Sequence, residues 1–152
     1  VLASDSEASR ARAAELAAQV REEYASTRYA DYAALMQARL AVEAKDFAVA
    51  EQSLREVMDG SKNATLQEVA RQRLARVLGE EQRAEEALEL FSTPVEGAEL
   101  RATREEIRGD LLLTLGRGDE AREAYKAAKE ALEDASARPQ LQLKLDDLAE
   151  EA

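Results

Sequence analysis

The chain has 152 residues with 21 Lys plus Arg, 32 Asp plus Glu and no His, Cys or Trp, so it is sized for one domain and carries a net charge of −11. Without His or Cys there is no Ser/His/Asp triad, no Cys/His pair and no donor set for structural zinc, haem or an iron-sulfur cluster. The acidity argues against nucleic acid as a partner, because that binding draws on Lys and Arg displacing counterions, while the missing cysteines exclude only a disulfide-dependent scaffold.

Alanine makes up roughly a fifth of the residues and Ile, Val and Thr are sparse, a composition that favours helix and starves strands. Ser4 with Glu7 has capping-box spacing and opens a first helix that reads to about Ala25. Ser26-Thr27-Arg28 separates it from a second, Tyr29 to Ala44, and Asp46 caps a third, Phe47 to Asp59, with Gly60 placed as its C-cap glycine. Thr65 with Glu68 repeats the capping-box spacing and opens a fourth helix, whose Gly79 predicts an early end. A fifth covers Arg83 to Phe91 and stops before Thr93-Pro94 and Gly97. A sixth runs from Ala98 to Leu115, a seventh follows Gly116-Arg117-Gly118 to about Asp134, and Pro139 suits the first turn of an eighth. No apolar run approaches the length of a membrane span, and the stretch as it stands reads as soluble.

Short helices joined by tight turns invite a test for internal repeats, and three segments align: Ala34 to Val57, Arg71 to Pro94 and Glu105 to Ala128, offset by 37 and 34 residues. One column holds Ala38, Ala75 and Gly109, a second Ala50, Ala87 and Ala121, and a third Leu54, Phe91 and Tyr125. Small residues are needed where the two helices of a repeat cross, and a larger apolar side chain four positions after the second small one fills the space between neighbouring repeats. Lys45-Asp46-Phe47, Gln82-Arg83-Ala84 and Gly116-Arg117-Gly118 are equivalent turns. Gln37 and Arg108 depart from the pattern, standing where Leu is usual. The pattern resembles the tetratricopeptide repeat. It predicts an all-α, right-handed solenoid of about eight helices in antiparallel pairs: a partial repeat over 1–28, repeats over 29–61, 62–97 and 98–135, and a C-terminal capping helix over 136–152.

Residues 80–152 carry 20 acidic and 10 basic side chains, against 12 and 11 in residues 1–79, so nearly all the net charge lies in the second half. Adjacent carboxylates such as Glu85-Glu86 diverge by about 100° on a helix and make poor sites. Glu106 and Asp110 share a face, but with no His the usual helical di-metal motif is absent. No catalytic residue, metal or cofactor is expected. The predicted functional feature is a protein-binding groove lined by the first helix of each repeat, with Tyr32, Leu35, Arg39, Val42, Val69, Gln72, Arg76, Glu106, Asp110 and Leu113 facing outward. Arg39 and Arg76 occupy one repeat position and suit a carboxylate on the partner.

The segments RQRLARVLGEEQRAEEAL and EEIRGDLLLTLGRGDEAREAYKAA and the ending LQLKLDDL together resemble the YfgM-like family of ancillary SecYEG translocon subunits. The resemblance covers nearly the whole chain and is strongest between Arg71 and Leu148. It implies a non-catalytic scaffold in the inner membrane, facing the periplasm and held by an N-terminal anchor that this chain does not contain. Its implied partners are the SecYEG translocon and a membrane-anchored periplasmic chaperone of the peptidyl-prolyl isomerase type. The competing readings are another envelope tetratricopeptide adaptor, serving outer-membrane assembly or cell-wall coordination, and a carboxylate-dependent metal enzyme.

Overall fold

The computed structural model describes residues 2–25 and 27–150; Val1, Ser26, Glu151 and Ala152, and the side chains of Leu2, Ala3, Ser4, Asp5 and Glu150, lie outside the described residues. Among those described the chain is all helical, with no strand: α1 (Leu2–Glu23), α2 (Arg28–Glu43), α3 (Phe47–Gly60), α4 (Ala64–Glu80), α5 (Ala84–Glu89), α6 (Ala98–Thr114), α7 (Gly118–Ala131) and α8 (Pro139–Glu150). None of these helices is long and apolar enough to cross a membrane. The chain divides into two compact units, Val1–Val77 and Leu78–Ala152. In the first, α2 packs against α1 and α3; in the second, α6 packs against α5 and α7, and α7 against α8.

The helix ends correct several sequence-based expectations. α1 already includes Ser4, so the Ser4/Glu7 pair does not mark its start. α4 is opened by Asn63, whose side chain accepts from the Leu66 amide at 3.1 Å, rather than by Thr65, which lies inside the first turn. Gly60 is the last helical residue of α3, and the extended backbone of Ser61 ends it. Gly79 does not stop α4; a Cβ there would stand 2.9 Å from Leu111 Cδ2, so the glycine lets Leu111 seat against the helix. α5 is short because the chain tightens into a 3-10 turn at Leu90–Ser92. α7 stops at Ala131, and a further 3-10 turn over Ala135–Ala137 leads to Pro139, the first residue of α8 as the sequence indicates.

The three equivalent turns share one conformation. Lys45, Gln82 and Gly116 all adopt the left-handed region, at φ 59°, 61° and 72°. Each is followed by an amide that reaches back across the helix end: Asp46 to the Ala41 carbonyl at 2.8 Å, Arg83 to Leu78 at 2.8 Å and Arg117 to Leu112 at 2.9 Å. This is a helix C-cap that satisfies otherwise orphaned carbonyls while reversing the chain. Only one of the three positions is glycine, so the other two hold a strained backbone for the sake of the reversal.

The aligned small-residue columns are buried in the paired helices. Ala38, Ala50 and Leu54 are buried on α2 and α3, which pack together, and Gly109, Ala121 and Tyr125 are buried on α6 and α7, which pack together as well. Ala75 and Ala87 are fully buried as well. Gly109 is small because the Tyr125 ring lies on it, and an added Cβ would overlap that ring. The third column departs at Phe91, which falls in the 3-10 turn and is only half-buried. The Arg104 guanidinium stands 5.3 Å from the centroid of its ring and donates to the Phe91 and Thr93 carbonyls. A 3%-exposed cation is thereby satisfied by carbonyls that the tightened turn releases. Gly109→Ala is expected to cost about 1–3 kcal/mol by overpacking, whereas Gly60→Ala, where an added Cβ meets nothing within 4 Å, is neutral or stabilising by up to about 1 kcal/mol. Urea unfolding of the two variants checks the contrast, and equal destabilisation would remove the steric role of Gly109.

Candidate functional site

The first unit supplies an exposed face on α2. Four positions on that helix were expected to face a groove, and three do face outward: Tyr32 and Val42 are 53% and 40% exposed, and Arg39 is exposed and paired with Glu43 at 3.0 Å. Leu35 is buried instead, because its turn of α2 also carries the crossing alanines Ala34 and Ala38. On α4, Arg76 is exposed and Val69 half-buried, while Gln72 is buried and donates to Glu68 Oε1 at 2.7 Å. Glu68 is itself buried and accepts from Arg71 at 2.8 Å. Gln72 is thus part of an internal polar network rather than an outward group, a role that one sequence position cannot disclose.

In the second unit the carboxylates of α6 are already engaged. Glu106, only 8% exposed, accepts from Arg138 at 3.3 Å and from Lys144 at 3.1 Å. Asp110 accepts from Lys144 at 2.6 Å and from the Tyr125 hydroxyl at 2.6 Å, with the Lys144 ammonium 5.3 Å from the centroid of the Tyr125 ring. Arg138 also bonds Glu99 at 2.9 Å and Thr103 at 2.8 Å. These contacts tie α8 and its preceding turn to α6, and they correct the expectation that Glu106 faces outward: it is a buried anion held by two cations. Leu113 alone of the expected α6 positions is both exposed, at 39%, and without a role in this network. Among the described residues no three metal-ligating side chains are grouped to hold an ion. Sequence reasoning missed Lys144, Arg138 and the Tyr125 hydroxyl. The available signal was Lys144 as the single cation of α8, set in a leucine-rich face.

Burial, and next the hydrogen bond to Asp110, push the Tyr125 phenol far above its ordinary value near 10. The native state therefore holds this proton where the unfolded chain releases it. That contribution to stability is complete below pH about 10 and is lost as pH rises beyond it. Unfolding free energy of the native sequence is expected to fall more steeply above pH about 10 than that of Tyr125→Phe, by up to about 1.4 kcal/mol per pH unit. Urea midpoints measured between pH 8 and pH 11, a range of about three units around the free phenol value, supply the comparison. Equal slopes would contradict the buried phenol.

The tetratricopeptide repeat-like domain family matches residues 1–150. A Neisseria gonorrhoeae protein named ancillary SecYEG translocon subunit is 33% identical over 130 residues, which are 85% of this chain and 62% of that protein. A protein of the same name from Aggregatibacter actinomycetemcomitans is 35% identical over 104 residues, 68% of this chain and 50% of its own length. The chain thus spans less than two thirds of either relative, and both bear the name that the RLAR, RGDLLL and KLDDL segments imply. No solved structure matches. With three left-handed turns in repeat register, buried small residues at the helix crossings and a family match over nearly its whole length, this chain belongs to the tetratricopeptide repeat-like domain family.

Proposed function

We propose that the chain is the periplasmic part of an ancillary subunit of a SecYEG-type translocon, acting as a non-catalytic adaptor between the translocon and a periplasmic chaperone of the peptidyl-prolyl isomerase type. The observation that carries this reading is similarity to two proteins of that name over most of the chain. The chemistry supports an adaptor: the acidic pair best placed for catalysis is neutralised by Lys144 and Arg138. The exposed groups on first helices are instead mixed aromatic, aliphatic and cationic, which suits a protein segment. Tetratricopeptide repeats over 29–61, 62–97 and 98–135, with a cap over 136–152, organise the domain, and an N-terminal helix beyond this chain anchors it in the inner membrane. The partner-facing groups are Tyr32, Arg39 and Val42 on α2 and Val69 and Arg76 on α4.

Full-length protein purified from crosslinked membranes is expected to bring with it translocon and chaperone subunits. Arg76→Glu is expected to cut their recovery about tenfold with an unchanged melting temperature, since Arg76 is exposed. Recovery of outer-membrane assembly or cell-wall components in place of translocon subunits would overturn the reading in favour of a different envelope adaptor. Recovery unaffected by Arg76→Glu would move the contact off α4.

A further inference from the structure

Two α6 positions expected to meet a partner, Glu106 and Asp110, meet α8 instead. Both accept from one side chain, Lys144, at 3.1 and 2.6 Å. Leu141 and Leu148, three residues before that lysine and four after it, are buried in one apolar cluster with Leu112 of α6 and with Ala121 and Tyr125 of α7. This is the contact of an amphipathic helix laid on a helical face, a cation between leucines set against paired carboxylates and an apolar floor. A segment of the chain itself therefore shows which chemistry the face accepts.

The hold on that segment is mostly polar. Of the described side chains of α8 only Leu141 and Leu148 are buried, while Gln142, Leu143, Asp146, Asp147 and Ala149 are exposed. The rest is done by Lys144, by Arg138, which bonds Glu99 at 2.9 Å and Glu106 at 3.3 Å, and by Arg122, which donates to the Leu148 carbonyl at 2.7 Å. The side chains of Asp110 and Glu99 are 49% and 73% exposed, so salt reaches these pairs and each contributes little alone. Residues 132–138, which join α7 to α8, hold a single 3-10 turn, so α8 can swing away without breaking a helix.

We propose that α8 is a displaceable strap, which occupies a binding face of α6 and α7 and yields it to a helix of a protein partner with the same chemistry. That helix carries one cation flanked by leucines at the spacing of Leu141, Lys144 and Leu148, and Glu106 and Asp110 receive its cation once Lys144 withdraws. The strap does not rest on the translocon reading, whose contacts lie on α2 and α4. Hydrogen exchange in the native chain is expected to run about tenfold faster in α8 than in α6 and α7, with a ratio that grows between about 0.05 and 0.5 M NaCl. Equal exchange in α8 and α7, or a ratio that salt leaves unchanged, would overturn the proposal. A labelled peptide of residues 139–150 serves as the incoming helix. It is expected to bind the chain carrying K144A/L148A in its own α8 about tenfold more tightly than the native chain, where the tethered strap competes at a millimolar effective concentration. Charge reversal at Lys144 in the peptide is expected to weaken that binding about tenfold. Circular dichroism verifies that the variant chain keeps its helix content, and the exchange measurement needs no variant. Absence of binding up to about 1 mM peptide, equal binding to the two chains, or indifference to the charge reversal would each overturn the proposal and leave α8 a permanent cap.

Discussion

The close approach of paired helices is the constraint on which the rest of this structure depends. It is most severe where the Tyr125 ring lies against the backbone of Gly109. A Cβ at that position would overlap the ring, which would have to shift, and with it the hydroxyl that donates to Asp110 at 2.6 Å. Asp110 in turn fixes Lys144, and Lys144 with Arg138 neutralises the nearly buried Glu106. A charge at 8% exposure is tolerable only with such partners. One missing methyl group on α6 is therefore linked through Tyr125, Asp110 and Lys144 to the docking of α8. In the first unit the equivalent residues Ala38, Ala50 and Leu54 are all buried on the paired helices α2 and α3.

Close packing also dictates the turns. Two helices that cross at small residues must be joined by a short connection, and a left-handed residue at the helix end provides one while satisfying terminal carbonyls. Lys45 and Gln82 accept that backbone without being glycine, so the reversal is enforced by the packing on either side rather than by local preference. The hairpin thereby turns one face of α2 towards α3 and leaves the opposite face, with Tyr29, Tyr32 and Met36, to solvent.

The periodic features were legible in the sequence because they recur: the small columns, the turn positions and the eight helices all follow from comparing the chain with itself. Features that occur once were not. Asn63 displaced Thr65 as the cap of α4 because two polar residues, separated only by Ala64, compete for one position, and backbone geometry alone decides between them. Phe91 left its column because a 3-10 turn intervened, stabilised by Arg104 from thirteen residues away. The candidate site was half legible. A repeat position predicts which residues sit on the first helix, and Tyr32, Arg39, Val42, Arg76 and Leu113 are exposed. It cannot register that α8 sends Lys144 across to Glu106, or that Gln72 turns inward to Glu68.

Similarity to two proteins named ancillary SecYEG translocon subunit and the geometry of the helical hairpins both fit a tetratricopeptide repeat-like domain. Each surface is only as well defined as the crossing beneath it. Proton NMR of the native chain tests that crossing most directly. Gly109 Hα resonances shifted upfield by the Tyr125 ring, with nuclear Overhauser contacts between the two, are the predicted result. Gly109 protons at unperturbed positions with no contact to the ring would contradict the close helix approach and everything built on it.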